Sequence, residues 1–363
     1  MKSLRKRGRE IGIAFEGTTG PLNAITDVRG VTVGQSTVIT EKGSRTGVTA
    51  IFPKGGDALS GVSAGVFAFN GTGELTGAHQ IKEFGGFFGP ILLTGTTSVG
   101  TVSTAYLKWV AEKIRDDEIR FSRILPVVGE TWDGNLNEAW DFHLTNEHVY
   151  AALNGAADGP VPEGNVGGGT GMIAYGLKGG TGTSSRQFTH DGETFTVGVL
   201  VQANHGLRSD LQITGVPVGR LLQGYEPILP EERTKVADGS ILIVIGTDAP
   251  LLSSQLERVA KRATVGLART GGFGGPLSGD IFIAFSTATD LDVGREEKVN
   301  QTSIPGDMLD GIFHAAAWAT EEAIVNSMLA AETMTSANGL TIFGLPPVEL
   351  NNILDNYRYR KTR

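Results

Sequence analysis

The sequence predicts a mixed α/β fold in which a sheet is covered on both faces, or in which two sheets pack under helices. Three observations carry this. Short β-branched and apolar runs alternate with a few long segments of helical spacing. Several runs, Ser240–Thr247 (SILIVIGT) and Asp280–Thr287 (DIFIAFST) among them, are apolar at successive positions rather than at every second one. Such strands need cover on both sides. No long internal period repeats along the 363 residues, which sets solenoids and propellers aside.

The elements follow in order. Ile25–Val33 (ITDVRGVTV) is rich in β-branched residues and is expected to open the fold as strand–turn–strand. Val48–Phe52 and Val62–Phe69 read as further strands. Ser98–Asp117 is expected to be helical, because Val99, Val102, Tyr106, Val110 and Ile114 fall on one face. Arg123–Val128 returns as a strand, and Asp133–Leu153, of mixed polarity, is expected to hold a short helix. Residues 164–186 carry most of the local glycine density. Phe195–Ala203 and Ser240–Thr247 then read as strands. Asp248 is a candidate cap for a helix from Pro250 to Thr270, with Leu252, Leu256, Val259, Ala260 and Ala263 inward. Gly271–Gly275 ends that helix. After the strand Asp280–Thr287, a last long helix is expected over Asp307–Met334, with Leu309, Ile312, Phe313, Ala316 and Ala317 inward.

Composition narrows the chemistry. Hydrophobic residues make up 40%, enough for a sizeable core, and the length allows one large domain or two ordinary ones. There is no cysteine, so disulfides, thiolate metal sites and a thiol nucleophile are excluded. The formal charge of −8 is the opposite of what a dedicated nucleic-acid binder carries. The basic start, MKSLRKRGRE, lacks the apolar segment of a secretory signal. The longest apolar runs, Ile241–Ile245 and Ile281–Phe285, fall far short of the ~20 residues that span a membrane. A cytoplasmic location, with no membrane and no nucleic-acid partner, is the expectation. The basic ends (Arg5, Lys6, Arg7, Arg9; Arg358, Arg360, Lys361, Arg363) read as solvated tails or as contacts for an acidic partner.

Gly167-Gly168-Gly169-Thr170-Gly171 could cradle a phosphate. A P-loop needs a Lys-Ser/Thr pair at a fixed offset, and a dinucleotide fingerprint needs a following helix; MIAYGLKGG offers neither. Tight turns and close backbone packing are the better reading. The six histidines (His79, His143, His148, His190, His205, His314) form no metal-binding frame, and no G-x-S-x-G elbow is present. Asp238-Gly239-Ser240, before an apolar strand, reads as a turn or as something sharper. A serine opening a strand after glycine suits backbone self-cleavage. Its hydroxyl attacks the Gly239 carbonyl, and water opens the resulting ester. Ser240 then becomes an N-terminus, whose free amine, with a pKa of about 8, can take the proton from its own hydroxyl.

From here the motifs line up with a family. The sequence resembles the DmpA/BapA-type aminopeptidases, the P1 (S58) family of self-processing N-terminal serine hydrolases. The matching stretches are Asn23–Gly34, Asn70–Gly77 (NGTGELTG), Pro126–Asn137 (PVVGETWDGNLN), Asn165–Met172 with Lys178–Arg186, Val201–Gly206 (VQANHG), Asp238–Leu251, Ser278–Thr287 and Glu321–Ala331. The resemblance implies an α+β fold, an αββα sandwich of two stacked sheets flanked by helices. It implies a single domain over 1–363, cut between Gly239 and Ser240 into an α chain of residues 1–239 and a β chain of residues 240–363. Such heterodimers commonly form homo-oligomers, tetramers of αβ pairs. The implied activity removes an N-terminal L-, D- or β-amino acyl residue from small peptides, amides or esters, with no metal or organic cofactor.

The resemblance also implies residue roles. Ser240 matches the nucleophile and Asn204 the oxyanion-hole asparagine. Ser278 and Asp280 match the serine and acid that orient the nucleophile and its amine. Glu130 matches the carboxylate that pairs with the substrate's amino group. Trp132 stands near the substrate where relatives often have tyrosine. Gln35, Gln80 and Gly95 depart from the usual histidine, tryptophan and asparagine. Two other readings compete. Ornithine acetyltransferases resemble this family in fold but use threonine as nucleophile, and Ser240 with GETWDG argues against acyl transfer. A non-enzymatic phosphate binder built on the glycine-rich loop lacks its lysine.

Overall fold

In a computed structural model, residues 6–57, 59–115, 121–231, 239–291 and 300–361 are described. Their strands are β1 (Thr32–Ile39), β2 (Arg45–Phe52), β3 (Gly61–Gly71), β4 (Gly86–Phe88), β5 (Ile91–Gly95), β6 (Val127–Thr131), β7 (Ile173–Ala174), β8 (Leu177–Lys178), β9 (Gly180–His190), β10 (Glu193–Asn204), β11 (Ser240–Thr247), β12 (Gly279–Leu291), β13 (Met334–Thr335) and β14 (Thr341–Ile342). The helices are α1 (Ala78–Phe84), α2 (Val99–Lys113), α3 (Asn146–Asn154), the single turn α4 (Val218–Leu221), α5 (Ser253–Arg269), α6 (Asp310–Ala330) and α7 (Pro347–Lys361).

Two sheets form the body. The smaller runs β1-β2-β5-β6 and the larger β4-β3-β12-β11-β10-β9. Side-chain alternation along β11 explains why its sequence is apolar throughout. Leu242 and Val244 point to a core shared with Ile51, Ile91, Leu93 and Val127 of the small sheet. Ile241, Ile243 and Ile245 point the other way, into a core shared with Leu256, Val259 and Ala260 of α5 and Ile312, Ala316 and Ala319 of α6. The outer face of the small sheet packs Val48, Ala50 and Val128 against Val102, Tyr106 and Val110 of α2 and Val149 and Ala152 of α3. The layers are therefore helix, sheet, sheet, helix, the αββα sandwich expected. Each fully buried aliphatic side chain contributes ~1.5–3 kcal/mol, so a strand buried on both faces is a strong anchor for whatever sits at its end.

Several expectations need correction. Ile25–Asp27 is a 3-10 turn, and the strand begins only at Thr32. The Asp27 carboxylate accepts the backbone N–H groups of Leu22 and Ala24, which holds the turn; Ile25 and Val28 serve burial rather than a ladder. The strand placed over Arg123–Val128 lies instead over Val127–Thr131, because Pro126 has no N–H to offer a sheet. Asp248 does not cap α5. It accepts the Thr196 N–H at 2.7 Å, and the helix starts at Ser253 with the Gln255 side chain accepting the Leu252 N–H. Arg7 and Arg9 do not belong to a solvated tail: Arg7 pairs with Glu163 at 2.8 Å and Arg9 with Glu322 at 3.0 Å, while Lys6 is exposed. Arg358, Arg360 and Lys361 lie in α7. Arg5, Asp238 and Arg363 lie outside the described residues.

The glycine-rich stretch is a packing device. The Gly167 and Gly168 amides, which a phosphate would need, donate to the hydroxyls of Thr37 and Thr49. A Cβ on Gly168 would lie 2.1 Å from Gln202 Oε1 and 2.7 Å from the Leu93 carbonyl oxygen. No helix of the described residues is long and apolar enough to cross a membrane.

Candidate active site

The candidate residues collect where four strands end. β10 runs antiparallel to β11 with Asn204 opposite Ser240, and β11 runs parallel to β12 with Ile241 opposite Asp280. The last residue of β10 thus meets the first of β11, beside the start of β12. The small sheet reaches the same place from its own face. Gln202 Nε2 donates across to the Thr94 carbonyl at 2.9 Å and to Thr131 Oγ1 at 2.8 Å, tying the ends of β5 and β6 to β10.

Ser240 is 7% exposed, and its Oγ accepts the Gly279 N–H at 2.9 Å. Gly239, immediately before it, has no room for a side chain: a Cβ there would lie 1.7 Å from the Asn204 carbonyl oxygen and 2.7 Å from Asn204 Nδ2. Glycine is therefore required for the peptide ahead of Ser240 to lie against Asn204. Ser278 Oγ donates to Asp280 Oδ2 at 2.5 Å, and Asp280 Oδ1 accepts the Ile241 N–H at 3.2 Å. Burial pushes the Asp280 carboxyl above the ordinary aspartate range, against the lowering effect of these two hydrogen bonds. The segment touches Ser240 Oγ through the Gly279 amide between its two named side chains.

The Asn204 carboxamide is held at both ends. Its Oδ1 accepts the Ile173 N–H at 2.8 Å, and its Nδ2 donates to the Trp132 carbonyl at 2.9 Å. These partners fix which end is oxygen and which is nitrogen, and they leave one Nδ2 hydrogen for a further acceptor. A donor held in place with a hydrogen to spare is what an oxyanion hole requires.

Glu130, on β6, is buried. Its Oε1 accepts the Glu74 N–H at 3.0 Å, and its Oε2 accepts the Thr96 hydroxyl. Burial raises its pKa above the ordinary 4.5, opposed by those two bonds. It approaches the β12 start through Gly73, where a Cβ would lie 3.0 Å from Gly279 Cα and 3.3 Å from Glu130 Oε1. Two cavities flank the site. Gly239, Ser278 and Asp280 line one of about 280 Å³, with Phe273 of the glycine loop. Trp132 lines the other, of about 230 Å³, with the Asn135–Trp140 loop.

The model of peptidase family S58 matches residues 23–342. The chain belongs to peptidase family S58. The β-peptidyl aminopeptidase BapA of Sphingosinicella xenopeptidilytica is 48% identical over 96% of this chain and 90% of its own. The L-aminopeptidase D-Ala-esterase/amidase of Ochrobactrum anthropi, a prototype of the serine aminopeptidases with a variant Ntn hydrolase fold, matches with TM-score 0.90 and 43% identity, covering 97% of this chain and 98% of its own. A Burkholderia β-aminopeptidase matches with TM-score 0.89 and 42% identity over 97% of this chain and 99% of its own. This S58 chain is accordingly a serine-type aminopeptidase.

Sequence reasoning missed several groups in and around the candidate site. The Gly279 amide was hidden inside SGD. Thr96 carries no motif. His205 follows Asn204 and lines the larger cavity; its Nε2 meets the Tyr175 hydroxyl at 3.1 Å, and burial lowers its pKa to about 3, so the ring is neutral. Lys178, at the end of β8, is fully buried. Only its place in the KGGTGTSSR stretch marked it.

Proposed function

We propose that this S58 aminopeptidase matures by cutting itself between Gly239 and Ser240, and that Ser240 is then both nucleophile and, through its α-amine, base. The observation that carries the reading is the juxtaposition of Ser240 Oγ, the Gly239 backbone packed on Asn204, and the Gly279 N–H bonded to that Oγ. In maturation the Ser240 oxygen bonds to the Gly239 carbonyl carbon. The carbon–nitrogen bond breaks, the hydroxyl proton passes to the departing nitrogen, and an ester joins the two segments. Water hydrolyses that ester, giving the Gly239 carboxylate and the Ser240 hydroxyl beside the amine that the shift has already released.

In turnover the amine takes the hydroxyl proton as Oγ attacks the substrate acyl carbon. The leaving amine collects that proton, and water then releases the acyl group. Asn204 Nδ2 stabilises the oxyanion in both steps. Ser278 and Asp280 position the new N-terminus through Gly279 and Ile241. Glu130 binds the substrate's ammonium, which restricts the reaction to N-terminal residues, and Trp132 borders that end. The small cavities suit short substrates. β-, L- and D-aminoacyl amides form the panel, since the relatives' names include β-peptidyl, L-aminopeptidase and D-Ala-esterase activities. A homo-oligomer of cut pairs and a cytoplasmic location belong to the same reading.

Intact-mass measurement tests it. The purified protein should resolve into chains of 239 and 124 residues, and Ser240→Ala should remain a single inactive chain. Persistent uncut protein without activity on the panel, or an active Ser240→Ala variant, would overturn the reading.

A further inference from the structure

Lys178 is an expensive residue to bury. Its side chain is fully enclosed, and its Nζ donates to two backbone carbonyls, Met172 at 2.6 Å and Gly179 at 2.9 Å. Desolvation draws its pKa down from 10.5 to about 7. A methionine would fill a similar volume without that penalty, so packing alone does not account for an ammonium here.

What the ammonium touches suggests its use. The Met172 carbonyl belongs to the same peptide unit as the Ile173 N–H. That N–H donates to Asn204 Oδ1 at 2.8 Å, and Asn204 Nδ2 lies against Gly239. Two bonds run in one direction, Lys178 N–H to the Met172 carbonyl and Ile173 N–H to Asn204 Oδ1; the Asn204 Nδ2 at the end of this relay donates one hydrogen to the Trp132 carbonyl and has a second for the acceptor an oxyanion would supply. An amide whose oxygen accepts a hydrogen bond carries a more positive N–H, so each link strengthens the next. The Gly179 bond anchors the other side of the ammonium and fixes the β7–β8 hairpin under the Asn204 carboxamide.

We propose that Lys178 is a positioning residue for catalysis, fixing and polarising the Asn204 carboxamide through the Met172–Ile173 peptide. This rests on the reading of Asn204 as the oxyanion donor. It concerns a residue outside both cavities that touches neither substrate nor nucleophile.

A double-mutant cycle tests it, with kcat and KM measured on an aminoacyl p-nitroanilide and self-cleavage followed by intact mass. Asn204→Ala should lower kcat by about 10²–10³-fold. Lys178→Met should lower kcat by about tenfold, the rate equivalent of one weakened hydrogen bond, with KM within about twofold of wild type. Lys178→Gln, which keeps a donor without the charge, should fall between. The double variant should be no slower than Asn204→Ala alone. Where a variant stays uncut, its self-cleavage rate takes the place of kcat in the same cycle. Where Lys178→Met does not fold, Lys178→Gln completes it. Multiplicative losses, or an unchanged rate with Lys178→Met or Lys178→Gln, overturn the Lys178 proposal alone. An Asn204→Ala variant with full activity overturns the reading of Asn204 and the proposal with it.

Discussion

Glu130 shows how a buried carboxylate can still have work to do. A carboxylate has about four acceptor positions; Glu74 and Thr96 use two of Glu130's, leaving capacity for an ammonium. Replacement by glutamine keeps the shape and removes the charge. Glu130→Gln should therefore raise KM for free-amine substrates by about 10- to 100-fold, the value of a charged hydrogen bond. Wild-type kcat/KM should fall as pH drops through a Glu130 pKa that burial has lifted above 4.5, and that dependence should weaken in the variant. Unchanged KM values across the panel would remove Glu130 from the amine site. At this scale, legibility followed the motifs. Ser240, Asn204, Ser278 and Asp280 stood out because each lies in a short recognisable string, and the structure brings all four to one place. Lys178 and the Gly279 amide matter only through partners distant in sequence or through a backbone group, and neither leaves a side-chain pattern to read.

Among the elements, β11 was legible to the residue because apolar side chains on both faces give an uninterrupted run. β9 was not. Its start, Gly180–Ser185, is glycine, threonine and serine, a composition that signals a turn. The reason is the closeness of α6: a Cβ on Gly182 would lie 2.1 Å from the Ala323 carbonyl oxygen. Small residues let the helix sit on the strand, at the cost of the usual strand signature. Gly95, which ends β5, presents the same kind of constraint beside the site. A Cβ there would lie 2.1 Å from Asp133 Oδ2, and Asp133 is buried, with a pKa raised to about 6 by desolvation. Gly95→Ala should destabilise the protein by about 1–3 kcal/mol through overpacking. Combining it with Asp133→Ala should cost less than the two single losses together, measured by urea unfolding. Strict additivity would show that the two side chains do not compete for this space.

The whole molecule decides what a cut at Gly239 can do. In the large sheet, β11 and β12 from the C-terminal segment lie between β3 and β10 from the N-terminal segment. α5 and α6 also come from the C-terminal segment, and they pack against strands of both. The two chains should therefore co-elute at the size of an intact assembly under native conditions and unfold in one transition, while separating on denaturing electrophoresis. Separation on native size-exclusion chromatography would contradict this topology.

The same placement bears on the nucleophile itself. A new chain end is ordinarily the loosest point of a protein and frays into solvent. Here it would arise in the middle of a sheet, with hydrogen-bonded neighbours on either side and buried side chains above and below from Ile241 onward. The freedom that a terminal serine would otherwise lose on meeting its substrate is already removed when the protein folds. The reacting oxygen and its amine then begin each turnover in place, and little entropy remains to be surrendered at the barrier.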